Sequence, residues 1–130
     1  GDRRRRGRDR QPGGRGDMSL FEREHYSVEC AAGSDVAVLR GVMRLASPAA
    51  YDAVFAPVRT LIESGRASTV DMSGVSFMNS SGIRALASLV LLAKDKSTPL
   101  QMLANEAIPW QKKTLASLRA ISPGLTIGSR

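Results

Sequence analysis

Two adjacent serines, Ser80 and Ser81, stand between Asn79 and Gly82 in the stretch "VDMSGVSFMNSSGIRAL", where an apolar run gives way to a helical pattern. A hydroxyl in such a turn can attack as a nucleophile, receive a phosphoryl group or cap a helix. Nucleophilic chemistry needs a base beside the hydroxyl. His25 is the only histidine and lies far from the turn in sequence, while Asp71, Asp95 and Glu106 show no paired spacing. No cluster of metal ligands and no glycine-rich nucleotide loop can be read from the residues. The expectation is a protein that is not an enzyme, with no catalytic residues, no metal and no cofactor of its own.

Capping is the simplest role for the serines, because Ser80 or Ser81 can accept an unpaired amide proton in the first turn of the helix entered at Ile83. One cap would need only one of them. Three small polar residues and a glycine leave the backbone approachable, and a phosphate there would meet exposed amides at the favourable end of the helix dipole. Arg84 follows Ser80 at the i, i+4 spacing, so its guanidinium can reach a phosphoryl group, or it can lie solvated beside Ser88 and Asp95. Leu91 is an apolar residue on that same face.

The surrounding elements decide where this turn sits. "HYSVECA" and "DVAVLRGVM", separated by the turn "AGSD", read as an antiparallel hairpin of β-branched and alternating apolar residues. A helix follows in "SPAAYDAVFAPVRTLIESGR", with Ser47 as N-cap, Pro48 at the first helical position and Gly65 as C-cap; Pro57 predicts a kink or two shorter pieces. "STVDM" is a short strand, "SSGIRALASLVLLAKDK" a helix, "PLQMLA" a strand and "IPWQKKTLASLRAI" a helix, with "GLTIGS" as an edge strand. The order β-β-α-β-α-β-α predicts an α/β fold, a mixed sheet with parallel pairs and right-handed crossovers. The turns at Leu45 to Ser47, Asn79 to Gly82 and Asn105 to Trp110 then leave the carboxyl ends of parallel strands and gather at one end. Trp110 either anchors a partner there or packs over the sheet edge, and Gln111 to Lys113 read as solvated.

At 130 residues the chain has room for one domain. Its net charge of +7 divides unevenly: residues 1–17 hold seven arginines and three aspartates, leaving twelve basic against nine acidic residues elsewhere. That arm has no apolar residue to bury and reads as a disordered basic arm, or as an extension upstream of a start at Met18. A nucleic-acid role for it is a weaker reading, testable as a salt-sensitive affinity lost on its deletion. No apolar run reaches the length of a membrane span, so no membrane insertion is expected. The lone Cys30 and the lack of a signal segment point to the cytoplasm.

The pattern "DMSGVSFMNSSGI", Asp71 to Ile83, resembles the signature of STAS domains, above all the anti-sigma-factor antagonists. In those proteins a strand leads to a loop ending in an acidic residue, two small hydroxyl residues and a glycine. The resemblance covers most of Tyr26 to Ile121 and implies a single STAS-like domain over residues 18–130, its mixed sheet backed by helices. It also implies a phosphorylation-controlled protein-binding module of a bacterial partner-switching pathway. On that resemblance Ser80 is the phosphoacceptor, modified by an anti-sigma-type serine kinase that itself binds the ATP and restored by a phosphatase. The unmodified form sequesters the kinase, and a phosphoryl charge of about −1.5 to −2 in the docking face releases it.

Two departures stand out. Antagonists carry an acidic residue before the phosphoacceptor, where this chain has Asn79, and many have another shortly after the glycine corresponding to Gly41, where this chain has Arg44 nearby. Both make the site less acidic. "NSSGI" followed by "IPWQ" is similar to a STAS subgroup apart from the best-known antagonists. Arg84, Arg44 and Trp110 are the candidate contacts for a phosphate or a partner, with Asn79, Ser81 and Gly82 as cap and switch turn. The alternative, also implied by the family, is a non-switching structural or ligand-binding subunit of a larger assembly such as a transport system.

Overall fold

The alternating apolar residues of the first hairpin form two strands joined at a turn where Ser34 N–H donates to the carbonyl of Ala31 at 3.0 Å. The computed structural model describes residues 25–129 together with the backbone of a strand at 18–22; the arm expected over residues 1–17 lies outside the described residues. The strands are β1 (Met18–Glu22), β2 (Tyr26–Ala31), β3 (Val36–Met43), β4 (Ser68–Met78), β5 (Leu100–Ala104) and β6 (Thr126–Ser129). Helices α1 (Pro48–Glu63), α2 (Ser80–Asp95) and α3 (Pro109–Ile121) connect the last four strands. The strands lie side by side in chain order; β1, β2 and β3 pair antiparallel, and β3 through β6 pair parallel.

This is the expected mixed α/β sheet backed by helices, consistent with a STAS-like fold, with β1 added at the amino-terminal edge. Right-handed crossovers between strands laid down in chain order put all three helices on one face of the sheet. Burial follows that asymmetry. Ala37, Leu39 and Met43 of β3 face the helices and are buried, whereas Val36 and Arg40 are exposed. The core is built by Tyr51, Phe55, Val58 and Ile62 of α1, Leu86, Leu89 and Val90 of α2, and Leu115 and Leu118 of α3.

Two local expectations change. Helix α1 runs through Pro57 as one continuous element and not as two pieces. The proline leaves the carbonyl of Ala53 without its helical donor, but Ala53 is exposed, so water can serve it. The helix ends at Ser64 as C-cap, with Gly65 one residue beyond at φ +81°.

The larger correction is the length of β4. Only Ser68 to Asp71 pairs with β5, whereas pairing with β3 continues to Met78. Register shifts between Val38 and Arg40 and between Gly41 and Val42 insert extra residues in β4. These bulges reset which side chains point inward, and Met72, Val75 and Met78 are all buried at a spacing of three. The far half of β4 therefore reaches past β5 as an extension that ends at the serine turn.

Candidate functional site

Helix α2 begins at Ser80, and its N-cap is Asn79, with extended backbone at φ −78° and ψ 174°. The Asn79 Oδ1 accepts the Gly82 N–H at 3.1 Å. Neither serine caps the helix, and Gly82 does not either, contrary to the sequence expectation. Asparagine and serine are about equally good caps, and the first in the run takes the position. Ser80 is the first helical residue and is exposed, Ser81 is half-buried and Gly82 is buried. Gly82 does not serve to open the turn: a side chain there would collide with Met78 Cγ and come within 2.7 Å of the Tyr51 hydroxyl.

Asn79 has a second role that the residue pattern does not show. Its backbone N–H donates to the Met43 carbonyl at 3.1 Å, and its side-chain Nδ2 donates to the Leu45 carbonyl at 2.9 Å. The fully buried Tyr51 completes the arrangement, its hydroxyl donating to Asn79 Oδ1 at 2.6 Å with the Met43 carbonyl also within reach at 3.1 Å. That hydroxyl accepts from the Leu45 N–H at 3.4 Å. Burial raises the Tyr51 pKa above its usual value; the Leu45 N–H opposes the rise, and the nearby Tyr26 adds to it. Every polar atom of the Asn79 side chain is thereby used. The turn before α2 and the loop after β3 form one hydrogen-bonded unit.

Arg44 sits between the two carbonyls that Asn79 grips. Its guanidinium lies over the ring of Phe77 at 4.7 Å, and that ring is 39% exposed at the end of β4. Such a contact contributes about 0.5–1 kcal/mol at an exposed site, enough to bias where the charge rests. Arg84 is exposed one helical turn beyond Ser80. Neither arginine has a carboxylate partner among the described residues, whereas Arg40, Arg59 and Arg66 pair with Glu29, Asp52 and Asp35. Ser80 also has no hydrogen-bond partner for its hydroxyl or its N–H among the described residues.

Trp110 and Gln111 have a different task from the one expected. Beyond Asp71 no strand pairs with β4 on the β5 side, and the first turn of α3 supplies donors there instead. The Trp110 indole N–H donates to the Val75 carbonyl at 3.0 Å, and Gln111 Nε2 donates to the carbonyls of Met72 at 2.9 Å and Val75 at 2.8 Å. Gln111 Oε1 accepts the Asn105 N–H at 2.8 Å. Gln111 is fully buried and not solvated, whereas Lys112 and Lys113 are exposed. Trp110 is half-buried against the core with its one polar atom engaged, which corresponds to packing over the sheet edge.

The three turns do gather at the carboxyl end of the parallel strands. Asn79 joins the first two directly, and Gln111 ties the third to the extension of β4. A cleft of about 200 Å³, lined in part by Val90, Lys94, Thr98, Leu100 and Leu125, lies at the other end of α2, away from the serines. No helix among the described residues is long and apolar enough to cross a membrane. No family model matches the sequence, and no curated protein matches it significantly.

Proposed function

We propose that this chain is a phosphorylation-controlled protein-binding module, STAS-like and similar to the anti-sigma-factor antagonists, with Ser80 as phosphoacceptor. The observation that carries this reading is the division of labour in the turn. Asn79 caps α2, so the Ser80 hydroxyl is exposed and makes no bond to any described residue. The clamp through Tyr51 and Leu45 holds the turn in a fixed place for an incoming kinase. The order of the elements and the "NSSGI" segment support the family assignment.

In the reaction, Ser80 Oγ attacks the γ-phosphorus of ATP held by the kinase. A bond forms between Oγ and phosphorus as the bond to the departing ADP oxygen breaks, and the hydroxyl proton goes to a base of the kinase. A phosphatase returns the serine by hydrolysis. The modified residue gains a charge of about −1.5 to −2 at the start of a helix, where unpaired N–H groups favour an anion.

The test is incubation with ATP and an anti-sigma-type serine kinase, followed by phosphopeptide mapping and binding measurements. Phosphate on Ser80, and loss of kinase binding in Ser80→Asp, are the expected results. Phosphate at another residue, or Ser80→Asp leaving every interaction intact, would refute the assignment and leave a fixed, non-switching subunit.

A further inference from the structure

Strand β6 is the outer strand on the parallel side of the sheet, and no described strand pairs with its far edge. Alternate residues of a strand direct both N–H and C=O to one side, so half of this strand's backbone groups point away from β5. Folded proteins guard such an edge with charge, proline or a bulge. The segment "TIGS" carries no charge and no proline, and its register with β5 runs from Thr126 to Ser129 without a shift. Brevity is its one safeguard.

The two sides of this edge differ in chemistry. On the helix side, α3 holds Lys112, Lys113 and Arg119 and no acidic residue, and none of the three forms an ion pair among the described residues. One flank of its buried stripe, bearing Trp110 and Ile121, packs partly on the core and faces α2, whose Lys94 Nζ donates to the Ile121 carbonyl at 3.2 Å. The right-handed connection from β5 to β6 turns the opposite flank toward β6, and Lys112 and Arg119 stand exposed there, seven residues apart. On the helix-free side Gly128 has no side chain, and its register partner Leu103 leans across it, with Cδ2 at 2.9 Å from the place a Cβ would take. The edge is therefore cationic on one side and apolar on the other.

We propose that the β6 edge is a docking site for an extended segment of a partner protein, one that alternates acidic and apolar residues and joins the sheet as a further strand. Its backbone pairs with the outward groups of β6, its carboxylates lie under Lys112 and Arg119, and its apolar side chains rest on Leu103. The spacings agree: the two cations are about 10 Å apart along α3, and same-side residues of an added strand recur about every 7 Å, so successive carboxylates reach both. Charge disfavours a second copy as the occupant, because antiparallel pairing of two β6 edges would bring two cationic flanks of α3 together. The site is separate from the serine turn and does not rest on the phosphorylation reading.

The experiment records backbone amide and arginine Nε–H signals of the isotopically labelled full chain by NMR during titration with an end-blocked hexapeptide of alternating glutamate and valine. The same peptide with every backbone amide N-methylated, a lysine–valine hexapeptide and a hexauridine RNA are titrated in parallel. The expected result is a saturable shift and slowed hydrogen exchange over Thr126–Ser129, with movement of the Arg119 signal, seen for the glutamate–valine peptide alone. The double variant Lys112→Gln/Arg119→Gln should bind it about fivefold to thirtyfold more weakly, the scale of losing one or two exposed charge pairs. Undiminished binding of the N-methylated peptide would overturn strand addition, and equal binding of the lysine–valine peptide would overturn the cationic recognition. Shifts confined to residues 1–17, tighter binding of the RNA along α3, or no saturable binding would overturn the docking site. None of these readouts needs a kinase, so they stand or fall apart from the assignment of Ser80.

Discussion

Replacing Asn79 by aspartate tests the clamp directly, because it alters one atom of the network and installs the residue type that antagonists carry before their phosphoacceptor. The carboxylate keeps an oxygen for the Gly82 N–H, now at 3.1 Å, and for the Tyr51 hydroxyl, now at 2.6 Å. Its negative charge at the start of α2 contributes about 0.3–1 kcal/mol in its favour. Against this, the donor to the Leu45 carbonyl at 2.9 Å is lost and an anionic oxygen faces that carbonyl instead. Leaving a buried acceptor unsatisfied costs about 1–3 kcal/mol, and the lower half applies here because the site is only partly buried. The balance is a destabilisation of about 1 kcal/mol, read as a fall of about 0.5–1 M in the urea midpoint with an unchanged slope. Asn79→Ala loses the cap as well and should cost about 2–3 kcal/mol. Ser80→Ala, which removes no cap, should stay within about 0.5 kcal/mol of the parent. An aspartate variant as stable as the parent, or more so, would show that residue 79 acts as a cap alone and that the two loops are not coupled through it.

Four further substitutions probe the supports of the turn. Gln111→Leu keeps the volume but leaves the Met72 carbonyl and the Asn105 N–H without partners, for a loss of about 3 kcal/mol in chemical denaturation. Trp110→Phe should cost only about 1 kcal/mol, since Gln111 still serves the Val75 carbonyl. Gly82→Ala improves helix propensity by about 1 kcal/mol, but its methyl collides with Met78 and the Tyr51 hydroxyl, so a net fall in the thermal midpoint is expected. Tyr51 gives a pH signature: its pKa is raised in the folded chain by burial, so its contribution is complete below the unfolded value of about 10 and is lost as pH rises beyond it. Tyr51→Phe should therefore show a shallower loss of stability between about pH 9 and 11 than the parent, measured by urea denaturation at each pH.

The helices and the first hairpin were legible because their burial is periodic in sequence. Tyr51, Val54, Phe55, Val58, Leu61 and Ile62 fall on one helical stripe, and the structure buries all six. Helix α2 keeps Arg84, Ser88, Leu91 and Asp95 exposed, as its pattern requires. Strand β4 was only partly legible because its bulges leave Met72, Val75 and Met78 three apart, a spacing that does not read as strand alternation. The cap was ambiguous for a local reason: Asn79, Ser80 and Ser81 are all good capping residues, and only the backbone at the helix start selects among them. Gln111 was misread because it adjoins two exposed lysines. Its burial depends on β4 outrunning β5, a relation between segments far apart in the chain. The Tyr51 contact with Asn79 spans a separation of 28 residues and has no local signal.

The clamp also limits how strong a switch this turn can be. A phosphate on Ser80, as proposed, would be carried by the first helical residue, outside the hydrogen bonds that Asn79 makes, and would be expected to leave the cap and both loops in place. The change offered to a partner is then mainly one of surface charge. An exposed charge pair contributes up to about 1 kcal/mol, so losing one or two such pairs weakens binding by about fivefold to thirtyfold. Near-complete inversion of a two-state population requires about 5.5 kcal/mol, well beyond that supply. If Ser80 is the phosphoacceptor as proposed, occupancy of the partner should therefore follow the phosphorylated fraction in a graded way. An affinity loss of a thousandfold on phosphorylation would mean that the clamp itself opens, and Asn79→Ala would then reproduce part of that loss without any phosphate.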